Sequence, residues 1–125
     1  VMDAIPESKA GVGSATNDAS REVGGALGIA IGGSVLNEVY QSNILIPESL
    51  SSQSDIISES FPAAIKIGEN MLALGNSDGA LLIQSARESF IEGMVAACVV
   101  AGIVALVAAI IVKWKLPQDI PASEE

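Results

Sequence analysis

The chain has no histidine, one cysteine and four aromatic residues among its 125 residues. Without histidine, Cys98 cannot complete any of the common zinc ligand sets, and a single cysteine excludes an internal disulfide. The scarcity of Phe, Tyr and Trp is unusual for a soluble core, which relies on aromatic side chains for large buried areas. Six Lys and Arg stand against fifteen Asp and Glu, and the formal net charge is −9. We therefore expect no metal site and no nucleic-acid partner.

Charge is also missing from a long stretch near the end of the chain. Nineteen residues, Met94 to Val112, contain no charged side chain. Because a bilayer core requires about 20 apolar residues, this run predicts a transmembrane helix, which we place at residues 90–115. Residues 116–125 then form a short cytoplasmic tail. The run is followed by a cationic and aromatic set that is typical of anchors at headgroup depth: Lys113, Trp114 and Lys115.

A second apolar stretch carries closely spaced glycines: Gly24, Gly25, Gly28 and Gly32. Glycine at four-residue spacing lets another backbone approach closely, which is how helices associate in lipid. In water the same glycines would each cost about 1 kcal/mol relative to alanine. We predict one helix over residues 10–40, about 45 Å long, preceded by a cytoplasmic segment at residues 1–9. Tyr40, at its far end, is predicted to be another interfacial anchor.

Two polar residues share the glycine side of this first helix. At about 100° per residue, Asn17 and Arg21 fall within roughly one quarter of the circumference together with Gly24, Gly28 and Gly32. Polar groups at membrane depth are costly and mark functional sites, so we interpret the pair as part of a cytoplasmic gate or cleft. The alternative is that Arg21 snorkels to headgroups and Asn17 is solvated. The glycines serve either fixed packing or the sliding of two helices.

Basic residues predict the topology of the two spans. Four of them lie near the cytoplasmic ends that we predict, and two lie between the spans: Lys9, Arg21, Lys113 and Lys115 in the first group, Lys66 and Arg87 in the second. The positive-inside rule therefore puts both termini in the cytoplasm and the connecting segment outside.

The connection at residues 41–89 is long for a link between two spans. Its first part is rich in Ser, Asn and Pro and is predicted to be irregular. From Asp55 onward, amphipathic fragments favour helix, and the run from Gly75 to Gly79 predicts a turn with Asp78 as a helix cap. We expect a short helical hairpin over the outer mouth, with its last helix running into the second span; a disordered loop is the alternative. The predicted fold class is an all-α membrane protein of two transmembrane helices joined by a long, partly helical extracytoplasmic loop.

Several motifs of the first span occur together in one order. They are a KAGxGSA entry, an N-x3-R pair and a GGALG run, carried by these residues: Pro6, Lys9-Ala10-Gly11, Gly13-Ser14-Ala15, Asn17, Arg21-Glu22, Gly24 to Gly28 and Gly33-Ser34. This segment, Ala4 to Tyr40, resembles the penultimate span of the fourteen-span drug:proton antiporters (EmrB/QacA type) of the major facilitator superfamily. The motifs cover about a third of the chain, and the remainder is similar in layout.

The resemblance implies that the chain is the C-terminal part, the last two spans, of a proton-coupled multidrug transporter in the bacterial cytoplasmic (inner) membrane. Such transporters export cationic or lipophilic compounds by alternating access. The implied partners are the remaining spans, membrane lipid and drug-like small molecules. The coupling acids are expected on other spans, and we interpret Glu38 and Glu92 as solvated helix ends.

A different class of function also fits two spans with a glycine zipper. A stand-alone protein of this kind would form an oligomer, as holins do, or serve as an accessory subunit. A pore is disfavoured, because the second span offers no polar face that could line a water-filled channel. An enzyme is not expected, because there is no nucleophile–base pair and the GVGSATND run lacks the lysine of a phosphate-binding loop. We likewise expect no cofactor.

Overall fold

The computed structural model of the chain describes residues 10–115, and the predicted segments 1–9 and 116–125 lie outside this range. The described residues form four α-helices and one short 3-10 helix, with no strand among them. In chain order these are α1 (Ala10–Asn43), the 3-10 helix (Glu48–Gln53), α2 (Ser54–Glu59), α3 (Phe61–Ala73) and α4 (Asp78–Lys115).

Two of these helices are long and apolar enough to cross a membrane. They comprise Gly11–Asn43 and Asp78–Lys115. This confirms the prediction of an all-helical chain with two candidate membrane-spanning helices. α1 continues past the predicted limit to Asn43, whereas α4 begins at Asp78 and runs without a break through the second span, as expected for the last helix of the hairpin.

The additional length of α4 comes from a first half with a different pattern from its second half. Its buried residues recur at alternating spacings of three and four, as in a helix that packs one face against neighbours: Gly79, Leu82, Ala86, Ser89 and Gly93. Arg87 and Glu88 lie on the exposed side of the same segment. Every residue from 101 to 115 is exposed. One continuous helix therefore combines a half that packs on one face with an apolar half that has no buried face.

The middle of the chain folds into a small helical unit, residues 36–93, which we call the cap. Its core consists of Tyr40, Leu50, Ile57, Ala64, Leu82 and Ala86. Three of the four aromatic residues of the chain meet there. The Phe61 ring stacks on Phe90 with centroids 4.4 Å apart, and it meets the edge of Tyr40 at 6.3 Å. The few aromatic side chains are thus concentrated in the one part of the described chain that has a buried core.

Local capping residues define the hairpin of α3 and α4 within the cap. The Ser60 hydroxyl accepts a hydrogen bond from the backbone N–H of Ala63 and so begins α3. At the other end, Gly75 has φ +79°, and the N–H of Asn76 donates to the carbonyl of Met71. This is the glycine-terminated helix end expected where the backbone must turn left-handed.

The residue that caps the start of α4 is not Asp78, which the sequence predicted for this role. The side-chain oxygen of Asn76 accepts from the N–H of Asp78, at 2.9 Å. The Asp78 carboxylate accepts a hydrogen bond from the Ser49 hydroxyl at 2.8 Å. Asn76 therefore forms the turn before α4. Asp78 is the first residue of the helix, and its side chain binds Ser49 of the 3-10 helix instead.

Candidate functional site

The predicted polar pair lies in the first part of α1, in the half of the helix far from the cap. Asn17 and Arg21 are both exposed, and the unbroken helix places them one turn apart. Arg21 lines a shallow, open depression together with Asp18 and Glu22. An exposed guanidinium near two carboxylates on one helix surface is a polar group suited to a partner outside the described residues.

Hydroxyl groups of α1 are satisfied within the helix itself. The hydroxyls of Thr16, Ser20 and Ser34 donate to the carbonyls four residues earlier, at 2.8–2.9 Å. Such bonds leave no hydroxyl proton unpaired and allow Ser and Thr to face an apolar environment. These side chains therefore need no polar partner, unlike Asn17 and Arg21.

The predicted packing glycines of α1 meet no other part of the described chain. A Cβ built at Gly24, Gly25, Gly28 or Gly32 would find no atom within 4 Å beyond its own helix turn. Within residues 10–115, these glycines therefore make no close backbone contact with the cap or with α4. The face formed by these four residues, which we call the glycine face, is open.

A groove separates the two long helices beside this face. It has a volume of about 240 Å³ and is lined entirely by glycine and aliphatic residues. From α1 it takes Gly28, Ile31 and Gly32, and from α4 it takes residues between 97 and 108. The groove can hold only apolar groups, because none of its lining side chains carries a hydrogen-bonding group.

Other glycines provide the close helix contacts of this structure. A Cβ on Gly93 would lie 2.7 Å from the carbonyl oxygen of Leu36, where α4 crosses α1. Gly68 and Gly79 bring the backbones of α3 and α4 together, and a Cβ on Gly68 would lie 2.9 Å from the Gly79 carbonyl. Sequence reasoning did not single out these glycines. The available signal was the spacing of small residues by seven in α4, at Gly79, Ala86 and Gly93.

The four predicted anchors divide between two environments. Trp114 is 84% exposed, and Lys113 and Lys115 occupy the last turn of α4 beside it. Tyr40, by contrast, is 2% exposed, and its hydroxyl donates to the Ile57 carbonyl at 2.9 Å. The structure thus places Tyr40 in the core of the cap rather than at a lipid-facing surface. The reason is that the cap supplies both an apolar enclosure and a hydrogen-bond acceptor.

Side-chain hydrogen bonds join α1 and its following loop to α4 at the cap. The Asn43 amide donates to the Glu92 carboxylate at 2.5 Å, and the N–H of Leu45 donates to the Ser85 hydroxyl at 2.7 Å. Glu92, predicted to be a solvated helix end, is exposed but accepts this bond, whereas Glu38 is exposed on α1. No group of three metal-ligating side chains occurs among residues 10–115.

One similar protein is a multidrug efflux pump, LfrA, from Mycolicibacterium smegmatis. It is 28% identical to this chain over 113 residues, which are 90% of the chain and 22% of the pump. The chain thus spans about a fifth of the length of this relative. No protein-family profile and no solved structure matches the chain. Similarity to a transporter, together with two long apolar helices, is consistent with a membrane protein.

Proposed function

We propose that the chain forms the last two spans of a proton-coupled multidrug efflux transporter of the EmrB/QacA type in the major facilitator superfamily. Two lines of reasoning support this. The similarity to a multidrug efflux pump covers nearly all of this chain but only about a fifth of the pump. The motifs of the first span, including Asn17, Arg21 and the GGALG run, resemble those of the penultimate span in that family.

The observation that carries the proposal is the open glycine face of α1. Small residues at four-residue spacing gain nothing from exposure to lipid, but they allow close backbone packing against another helix. Within residues 10–115 no atom lies within 4 Å of a Cβ built on these glycines, and α4 faces Gly28 and Gly32 only across the apolar groove. Asn17 and Arg21 lie toward the same side and would be costly without polar neighbours or water. The remaining spans of a larger bundle are the partner that accounts for both features.

In this proposal α1 and α4 cross the bacterial inner membrane, with both termini in the cytoplasm and the cap outside. Lys113 and Lys115 then lie at the cytoplasmic surface, in agreement with the positive-inside rule. Trp114 anchors α4 at the same depth, and membrane lipid surrounds the outward faces. A cysteine at Ser52, on the exposed surface of the cap, is expected to react with an impermeant thiol reagent in intact cells. Labelling of Ser52→Cys only after cell lysis would contradict this topology.

Within the transport cycle, Asn17 and Arg21 are proposed to stabilise one access state by pairing with neighbouring spans at the cytoplasmic side. The substrates are drug-like cationic or lipophilic molecules, and the proton-carrying acids belong to spans beyond this chain. Arg21 is then a positioning residue that biases the conformational equilibrium. It is not a carrier of protons, because a guanidinium remains charged at physiological pH.

The proposal is tested with the complete reading frame in a bacterium that lacks its main efflux pumps. We expect lower ethidium accumulation in cells that express the full protein, and loss of the difference when a protonophore collapses the gradient. Efflux that survives the protonophore would contradict proton coupling. Expression of the 125-residue chain alone provides the matched control. Dye efflux or a pore formed by this chain alone would favour the stand-alone, oligomer-forming class.

A further inference from the structure

Burial is distributed very unevenly along the two long helices. Every buried residue of α1 and α4 lies within the cap, from Tyr40 at the end of α1 to Gly93 in the middle of α4. Residues 15–31 of α1 and 101–115 of α4 are all exposed. Because burial of apolar surface is the main source of stability, the two helices are held together mainly through the cap, and half-buried residues such as Gly32 and Ala97 continue the packing for about one further turn. We call the other end the open end.

Hydrogen bonds follow the same distribution. Tyr40 and Asn43, at the end of α1, bind Ile57 and Glu92, which are 17 and 49 residues away in sequence. The backbone of Leu45 binds the side chain of Ser85, 40 residues away. One bond joins the end of α1 to α2, and the other two join the end of α1 and the following loop to α4. Together they fix the position of the cap on both helices.

The innermost contact of the cap is a backbone approach. A Cβ on Gly93 would lie 2.7 Å from the carbonyl oxygen of Leu36 and 3.3 Å from its Cα. At this point α1 and α4 touch without an intervening side chain. Beyond it an apolar groove lies between the two helices, with walls that reach Gly28 of α1 and Ala108 of α4. The contact of Leu36 with Gly93 is therefore a close backbone approach on the cap side of this groove.

We propose that the cap is a clamp that joins α1 and α4 rigidly at one end, so that the two helices change their separation only at the open end. The pivot is the contact between Leu36 and Gly93. The groove provides the space for this movement, since its aliphatic walls carry no hydrogen bonds that would have to break. Packed helices commonly respond to ligands by hinge and shear movements of this kind.

The geometry converts a small tilt into a useful displacement. Arg21 lies 15 residues from Leu36, which is about 22 Å along a straight helix. A tilt of about 10° about the pivot would move Arg21 by roughly 4 Å, enough to make or break an ion pair with a neighbouring helix. The cap would move by far less, because it lies at the pivot and is held on both sides. The link to Arg21 rests on the proposed function, but the clamp itself does not.

Distance measurements between spin labels test the clamp in the full-length protein, reconstituted in liposomes with its other reactive cysteines replaced. One pair, Ser42→Cys with Glu88→Cys, reports on the cap, and the other, Asp18→Cys with Val112→Cys, reports on the open end. All four positions are exposed. We expect a narrow cap distance that is unchanged by ethidium. The open-end distance should be broader and should shift by roughly 4 Å, as the lever arm requires.

Both other outcomes would overturn the clamp. If the cap distance shifts as much as the open-end distance, the cap is not rigid, and if neither shifts, the two helices move as one body. A double variant, Tyr40→Phe with Asn43→Ala, should broaden the cap distance, whereas Gln53→Ala on the exposed cap surface should not. If the parent protein exports no drug, the proposed function fails. The widths of the two distance distributions without ethidium still test the clamp in that case.

Discussion

The hydroxyl of Tyr40 donates a hydrogen bond of 2.9 Å to the main-chain carbonyl of Ile57, in the core of the cap. This bond joins the last turns of α1 to α2, and both residues are almost completely buried. The rings of Tyr40 and Phe61 also form a T-shaped pair, and Phe61 stacks on Phe90 of α4. Tyr40 therefore links α1 directly to α2 and α3, and to α4 through Phe61. The stability of the cap should depend on it strongly.

Replacement of Tyr40 by Phe should destabilise the cap by about 1–3 kcal/mol, because it leaves the Ile57 carbonyl without its side-chain donor in a buried site. Tyr40→Ala should cost about 3–5 kcal/mol, since it also removes the ring. The measurement is thermal unfolding of the purified full-length protein, monitored by protease cleavage within the cap. Ser42→Ala, on the exposed surface nearby, is the matched control and should change little. Equal melting of Tyr40→Phe and the parent would show that the bond contributes nothing to the cap.

Gly93 should tolerate no side chain, whereas Gly102 on the same helix should. A methyl group at Gly93 would lie 2.7 Å from the Leu36 carbonyl, but one at Gly102 meets nothing within 4 Å. Because backbone atoms cannot move aside cheaply, we expect Gly93→Ala to cost about 1–3 kcal/mol. Gly102→Ala should be neutral or slightly stabilising through its better helix propensity. The two variants are compared by yield of folded protein and by melting temperature in detergent. The contact at Leu36 would be refuted if they behaved alike.

Gly28→Leu should distinguish contacts inside this chain from contacts with other spans. Within the described residues a Cβ at Gly28 meets no atom within 4 Å, and the position borders the groove outside the cap, so the cap should melt as it does in the parent protein. In the complete transporter the same change should lower assembly and drug efflux, because the glycine face is proposed to pack against another span. Efflux and size-exclusion profiles provide the readout. Unimpaired efflux by a correctly assembled Gly28→Leu protein would remove the main support for such a packing partner.

Arg21→Ala should reduce drug efflux without preventing membrane insertion, since Arg21 is proposed to stabilise one access state rather than the fold. Arg87→Ala is the matched control, because Arg87 is also an exposed arginine but lies in the cap. We expect ethidium accumulation close to that of the empty vector for the first variant and close to the parent for the second. Immunoblots of membrane fractions control for expression. A fully active Arg21→Ala protein would favour the alternative in which this residue only snorkels to headgroups.

Much of the helical architecture follows from local sequence. The uncharged run Met94 to Val112 requires a helix in an apolar environment, because no other conformation satisfies its backbone there. The glycine-rich segment before residue 36 indicated the other long helix. The amphipathic fragments after Asp55 indicated helices in the connection, and the structure has α2 and α3 there. The limits of α1 and α4 were less predictable, because their cap-end portions are stabilised by tertiary contacts.

The candidate site was only partly accessible to such reasoning. The positions of Asn17 and Arg21 on one side of a helix follow from helical periodicity alone. Which glycines make contacts does not, because contact depends on what lies opposite. The glycine face of α1 is open in residues 10–115, whereas Gly68, Gly79 and Gly93, which stood out less, carry the close approaches. The spacing of small residues by seven in α4 was a signal for Gly79 and Gly93 but not for Gly68, which lies in α3.

The sequence by itself determined that two long apolar helices exist and that one of them carries a glycine face with Asn17 and Arg21 at its start. These properties depend on hydropathy and on the helical repeat, which are local. Only the tertiary structure decided that Tyr40 belongs to a buried core and that α1 and α4 are joined through the cap, with an apolar groove between them beyond it. Such relationships depend on contacts between residues as far apart in sequence as Asn43 and Glu92. No local pattern specifies which of these side chains will meet.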